Sequence, residues 1–236
     1  MYKAFFTCNN GVYFECNNKG IFSDGIFDGY SCGFSSTSIE IINQCATKSG
    51  VFENLDALIF THMHEDHFWN KEVLRISRLT GVPVYAPGFL RNTITPTVLS
   101  DKTSFFEICG FNVFAVKTKH DGDARINQVE HESFVISTAD ESIFFAGDAV
   151  FSEEDYHEIK KRIYKPLTAA FVNPYHIIGK HNSDFLRALV PQKIYIIHRP
   201  LSGDDHYNVS ILLDHALKHY PAGLPAPIVP QFNAWI

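Results

Sequence analysis

No stretch of this sequence approaches the roughly 18 to 20 consecutive apolar residues that cross a bilayer, so a helical membrane span is not expected. The opening residues, MYKAFFTCNNGVYF, lack a charged segment followed by an apolar one. No secretory signal is therefore expected, and the cytoplasm is the expected compartment. Cysteine is sparse and scattered: Cys8, Cys16, Cys32, Cys45 and Cys109 are odd in number and never fall in C-x-x-C spacing. Reduced thiols are expected, not a disulfide framework or a cysteine-bound zinc. A basic excess is missing too. The formal net charge is −6 and the isoelectric point near 6.0, which argues against a nucleic-acid partner, since binding to phosphate calls for clustered Lys and Arg. Repeats, low-complexity tracts and Gly/Ser linkers are absent, so one domain spanning residues 1–236 is expected.

Hydrophobic residues make up 45% of the chain and charged residues 19%, enough apolar material for a substantial core. GVYFEC and GIFSDG read as a hairpin with Asn and Gly at its turns. Residues 35–50 carry Ser/Thr start signals, apolar Ile39, Ile42 and Cys45, and a stop at Gly50, a helix pattern. LDALIF (55–60) is a short continuous apolar run, as in a strand covered on both faces. Residues 67–81 read as an amphipathic helix, and 151–163 and 206–219 as further helices. Strands are expected at 82–87, 104–109, 111–118, 133–138, 141–147 and 193–198. Strands interleaved with helices define an α/β class, sheet covered by helices. The tail from Pro221, with four prolines and no period, reads as extended loop.

Twelve histidines stand out against this background, because imidazole is the commonest metal ligand. The strand LDALIF leads directly into THMHEDH (61–67), which places His62, His64, Asp66 and His67 within six residues. In extended backbone, side chains two apart point the same way, so His62 and His64 can converge on one ion. Asp66 and His67 sit where the chain turns into the next helix and can face a second. Imidazole and carboxylate without thiolate suit zinc, with manganese or iron as alternatives. The competing reading is a run of solvated histidines before a helix, with Asp66 as an exposed cap.

The H-x-H-x-D-H string resembles the signature of the metallo-β-lactamase superfamily. Further pieces appear in the expected order along nearly the whole chain: His120 ends the strand FNVFAVKTK, Asp148 follows ESIFFAG in a Gly-Asp pair, and His198 ends KIYIIH. The resemblance implies an αβ/βα four-layer sandwich, two mixed sheets flanked by helices. It implies two divalent ions, one on His62, His64 and His120 and the other on Asp66, His67 and His198, with Asp148 bridging. For the third motif His131 is the alternative; His120 is favoured because it directly ends an apolar strand, whereas His131 falls in a polar stretch between elements. His176 and His181, in NPYHIIGKH (173–181), and Arg199 are candidate substrate contacts, Arg199 as a clamp for an anionic small molecule. His157, His206, His215 and His219 read as surface, core or helix residues.

Departures from the family pattern bear on substrate. Asn70 stands where a glycine is common, and His120 is followed by DGDARINQ, a pattern closer to the sugar-phosphate lactonase-like and phosphodiesterase-like branches. The di-iron flavoprotein branch carries glutamate at the position of His64, so histidine there argues for hydrolysis. The family resemblance implies a hydrolase in which a hydroxide bridging two ions about 3.5–4 Å apart attacks an ester, lactone or phosphodiester bond. Asp66 and Asp148 would partly neutralise the metal charge, and Asp66 or a nearby histidine would carry the proton. The sequence contains no G-x-S-x-G elbow, in keeping with a mechanism that needs no serine nucleophile. Two other readings compete: a metal-retaining binding or sensing module without turnover, and a nuclease of the same fold, which the acidic balance disfavours.

Overall fold

The computed structural model describes residues 2–33, 35–89, 93–123, 128–178, 180–201 and 203–236, with the side chains of 31, 32, 180 and 181 left aside. Strands β1 (Lys3–Phe6), β2 (Val12–Cys16) and β3 (Lys19–Ser23) form an antiparallel meander. Asn17 and Asn18 join β2 to β3 as a two-residue turn with φ of 52° and 57°, the left-handed pair that a tight hairpin requires and that Asn tolerates. Helix α1 (Ile39–Thr47) starts at Ser38, whose side chain accepts the Ile41 N–H at 3.3 Å. Next come β4 (Leu55–Ile59), parallel to β3, then α2 (Asn70–Thr80) and β5 (Val84–Tyr85).

The second half opens with β6 (Thr97–Ser100), β7 (Thr103–Ile108), β8 (Phe111–His120), β9 (His131–Ser137) and β10 (Ser142–Phe145), each antiparallel to the last. A short β11 (Ala149–Val150) pairs with the end of β8, with Ala149 opposite His120. After α3 (Glu153–Arg162), strand β12 (Leu167–Val172) runs parallel to β10. Helix α4 (Lys180–Leu189), β13 (Lys193–Ile196) and α5 (Val209–Lys218) complete the pattern. The tail is not wholly loop. Its residues form β14 (Pro227–Ile228) and β15 (Ala234–Trp235), one on an edge of each sheet. Edge positions accept proline because one side of the strand makes no ladder bonds.

The two sheets have six and nine strands. Their facing sides share one apolar cluster, in which Phe6, Phe14 and Ile59 of the first sheet meet Phe134, Phe145 and Phe171 of the second. Helices α1 and α2 cover the outer face of the first sheet, where Cys45, Val73 and Ile76 join Phe22 and Leu58. Ile159 of α3, Leu186 of α4 and Ala216 of α5 cover the outer face of the second. The result is the four-layer αβ/βα sandwich, helix on sheet on sheet on helix. Fully buried, each Phe or Ile contributes roughly 1.5–3 kcal/mol, so the two sheets are fixed against each other by their shared aromatic face. Among the described residues, no helix is long and apolar enough to cross a membrane.

Helix α3 shows how local sequence sets a boundary. Ser152 Oγ accepts the Asp155 N–H at 3.2 Å and Asp155 Oδ2 accepts the Ser152 N–H at 2.8 Å, a reciprocal cap. Asp155 Oδ1 also accepts from Lys102 Nζ at 2.8 Å, tying the helix to the β6–β7 turn. Replacing Ser152 with alanine is expected to lower unfolding free energy by about 1 kcal/mol, read as a lower denaturant midpoint at unchanged m-value.

Candidate metal centre

The chain leaves β4 at Ile59 and reaches the cluster through Phe60 and Thr61. His62 is fully buried, His64 is half-buried, and the carbonyl of His64 accepts the N–H of both His67 (3.0 Å) and Phe68 (2.8 Å), which turns the backbone towards α2. That turn brings Asp66 and His67 round beside His62. His120, at the end of β8, places Nε2 at 3.3 Å from Nε2 of His62. Asp148 follows β10, and its Oδ2 lies 3.3 Å from His67 Nε2, 3.2 Å from His198 Nε2 and 3.9 Å from His120 Nε2. His198 follows β13 in the left-handed region (φ 56°) and also lies 3.6 Å from Asp66 Oδ2. Three groups of possible donors result, each within 4.8 Å: His62, His64 and His120; Asp66, His67, Asp148 and His198; and the wholly buried Asp24, His62 and His67.

His131 stands behind this cluster. It opens β9 and is buried, where the sequence had pointed to a polar stretch between elements. Thr118 Oγ1 bonds its Nδ1 at 2.8 Å, and its Nε2 accepts the Asp148 backbone N–H at 3.0 Å. Its role is to hold the Asp148 backbone. Gly147, with φ of 59°, makes room for this contact: a Cβ there would meet His131 Nε2 at 2.6 Å and Thr61 Cβ at 2.9 Å.

Three residues that sequence reasoning missed orient the donors. Asp24, directly after β3, accepts the Thr61 N–H at 2.8 Å, the Thr61 hydroxyl at 2.6 Å and the His67 Nδ1–H at 2.9 Å. Since the Thr61 hydroxyl donates to Asp24, it accepts from His62 Nδ1 at 2.9 Å. One carboxylate thus fixes two imidazoles with Nδ1 protonated and Nε2 turned inward, the usual arrangement behind a metal-binding histidine. Asn173 steadies Asp148 with a 3.3 Å bond from Nδ2 to Oδ1. Their only signals were a polar residue at the end of a strand, SDG after β3 and NP after β12.

The donor chemistry fits divalent cations. The carbonyl of Asp121 faces His120 Nδ1, and a carbonyl only accepts, so in the neutral ring the lone pair sits on Nε2. His62 carries its lone pair on Nε2 for the reason just given. The two Nε2 atoms therefore point at a common space, 3.3 Å from one another, where a shared cation would find both as donors. Electrostatics agree. Burial holds His62 well below its ordinary pKa, and His67 pushes it lower, so it is neutral and ready to ligate. Burial opposes charge on His67 and His198 as well, but the Asp148 and Asp66 carboxylates together outweigh it and raise His67 well above the usual value and His198 to about 9. Burial alone would raise Asp148, yet His198 and His67 hold it well below the usual carboxylate range. The second group is thus anionic enough to hold protons that a cation would displace.

Residues 10–198 match the model of a family described as the beta-lactamase superfamily domain. The chain belongs to the β-lactamase superfamily. Among solved structures, it is similar to the isothiocyanate hydrolase from Delia radicum gut bacteria, with a TM-score of 0.65 and 18% identity over 99% of this chain and 98% of that one. It is also similar to the metallo-β-lactamase fold protein YhfI from Bacillus subtilis (TM-score 0.64, 12% identity, 100% and 98% covered). CmlA, a diiron β-hydroxylase from Streptomyces venezuelae, has a TM-score of 0.61 and 15% identity, covering 100% of this chain and 54% of its own. At these identities the likeness is one of fold. No curated protein matches the chain.

Two of the expected substrate contacts in this β-lactamase superfamily chain are placed otherwise. His176 is buried: its Nδ1 accepts the Asn173 N–H at 3.2 Å and its Nε2 donates to the Ala149 carbonyl at 2.8 Å. With both nitrogens committed to backbone, it shapes the turn Pro174–Ile177 instead of meeting a substrate. Arg199 lies over Phe232, 4.7 Å from the ring centre, and over Phe6 at 5.6 Å, while Nη2 donates to the Pro230 carbonyl. It fastens the tail and does not face the donors. The side chain of His181 lies outside the described residues.

The hollow over the donors, about 460 Å³, is walled by Met63, Tyr175, Tyr207 and Val209. Burial raises the Tyr175 phenol, with Asp148 and Asp121 adding to the effect, so it stays protonated as a donor. Replacing Asp24 with asparagine is expected to weaken zinc binding by about 10- to 100-fold with the fold retained, checked by competition against a chromogenic chelator and by circular dichroism.

Proposed function

We propose that this protein is a metal-dependent hydrolase that holds two divalent cations, one on His62, His64 and His120 and one on Asp66, His67 and His198, with Asp148 between them. The observation that carries this reading is the convergence of seven side chains from four chain segments into two adjoining donor groups. Zinc suits the imidazole and carboxylate set best; manganese and iron accept the same donors. Bound there, such cations supply Lewis acidity, acidifying water and polarising the oxygen of the bond under attack.

The chain's own residues do the rest. Asp24 and Thr61 keep His62 and His67 in the ligating tautomer. The Gly147 notch and His131 hold the Asp148 backbone, and Asn173 holds its side chain. Asp66, with its side chain still partly open to the hollow, is placed to carry a proton between attacking water and leaving group. The bonds within reach of this chemistry are ester, lactone and phosphodiester. The substrate is a small molecule, sized by the hollow over the donors.

Replacing His64 with alanine is expected to lower metal content and abolish turnover while the circular dichroism spectrum is retained. Metal analysis together with assays on a generic ester and on bis(p-nitrophenyl) phosphate reads this, and unchanged metal content in the variant refutes the assignment. Chelation is expected to remove activity and zinc or manganese to restore it. Two bound metals with no turnover on any substrate would favour a binding or sensing module.

A further inference from the structure

The hollow over the donors shares part of its wall with another. Met63 and Glu65, which line the first, also line a second hollow of about 740 Å³. Its walls are Phe68, Trp69, Leu74 and Phe89, with Asp28 at the rim. Met63 is 37% exposed and is the apolar divider between the two spaces. Gly88 lies beside it: a Cβ there would stand in ordinary contact, 3.7 Å, with the Met63 methyl. A thioether on an unbranched stem adapts to whatever lies against it, as a branched side chain would not.

Charge narrows the occupant. Among the described residues lining the two hollows, none is lysine or arginine, while Asp28 and Glu65, which are not donors, are acidic. Arg199, next to His198, is turned under Phe6 and Phe232, and Lys119, next to His120, lines a neighbouring hollow together with Lys117. An anionic extension would meet aromatic walls and a carboxylate rim with no counter-charge. An aliphatic or aryl extension would bury its surface against Trp69, Leu74 and two phenylalanines.

We propose that the substrate carries an uncharged apolar arm, seated across Met63 in the Phe68–Trp69–Leu74–Phe89 hollow while its hydrolysable group lies over the donors. This rests on the hydrolase reading for the second half of the statement; the arm site itself is a matter of binding. It favours an ester or lactone of an apolar acid or alcohol over a phosphorylated sugar.

The test is a series of unreactive methyl ketones, 2-butanone, 2-hexanone, 2-octanone and 2-decanone, titrated into the full-length protein loaded with zinc and followed by tryptophan fluorescence, since Trp69 lines the hollow. Affinity is expected to rise about tenfold per two methylenes until the hollow is filled. 9-Oxodecanoate, which ends the same arm in a carboxylate, is expected to bind at least about tenfold more weakly than 2-decanone. Leu74→Trp, which fills the hollow from α2, and Leu74→Asp, which charges it, are each expected to flatten the series, with circular dichroism confirming the fold. A flat series in the unsubstituted protein, or a carboxylate-ended ketone that binds as tightly, overturns the proposal, as does a steep series that neither variant alters. Hydrolysis of p-nitrophenyl acetate, butyrate and octanoate is measured alongside. A steep ketone series with no turnover counts against the hydrolase reading alone, and turnover with a flat ketone series counts against the arm site alone.

Discussion

The approach of His62 Nε2 and His120 Nε2 to 3.3 Å is the constraint on which the centre depends. Left to themselves, two imidazole nitrogens this close would be free to rotate apart. Neither can do so here. His62 is held by Thr61, which is held by Asp24 on the end of a neighbouring strand, and His120 is held by the carbonyl of the next residue. The arrangement is imposed by partners that lie outside the donor set. Those partners are positioned by the register of β3 against β4, which puts Ser23 opposite Ile59 and so leads Asp24 alongside Thr61.

Register explains why the site lies where it does. Strand β4 belongs to the six-stranded sheet, while β8, β10 and β13 belong to the nine-stranded one. Their ends approach one another only because the sheets pack face to face through the shared aromatic cluster. A change that loosens this cluster would move the two halves of the donor set relative to each other, even far from any ligand. The buried charge is tolerable for a related reason. Asp148 places one oxygen within reach of three imidazoles, so its carboxylate and the rings it touches neutralise one another in the absence of bulk water. The same concentration of negative charge makes the pocket a poor host for an anion until cations are present.

Much of this was legible in the sequence because it depends on short-range rules. LDALIF followed by THMHEDH announces both a buried strand and the chemistry at its end, and His120, Asp148 and His198 each close or follow an apolar run. What was not legible depends on pairing across long separations. Asp24 looks like any turn residue until β3 is aligned with β4. Arg199 reads as a clamp from its place next to His198, but the tail returns to place Phe232 and Pro230 around it, and a stretch with four prolines carries no periodicity to announce that. His176 misled for the opposite reason: a histidine in a loop near the site suggests exposure, whereas the Asn173–Pro174 start forces a tight turn that tucks the ring under the Ala149 carbonyl. Strand β12 was missed although LTAAFV, bounded by Pro166 and Asn173, has the pattern of a buried strand.

The centre and its walls are built from different kinds of structure, and this separates chemistry from selection. All seven donors sit at or just beyond strand ends, fixed by ladders and by buried acceptors. The walls come from elsewhere: Tyr175 from a single tight turn, Tyr207 and Val209 from the start of α5, Leu74 from the face of α2 and Phe89 from the turn after β5. The start of α5 is itself set by Asp205, which accepts the N–H of Val209 at 2.6 Å and of Ser210 at 2.8 Å, and not by any donor. Substituting a wall residue therefore leaves the ladders and the acceptors behind the donors in place. A fold with that division can keep its backbone at identities of 12% to 18% while the surface presented to substrate changes freely. For this chain the walls of the two hollows are accordingly set by residues such as Met63, Leu74 and Tyr207, and the described residues lining them include no lysine or arginine.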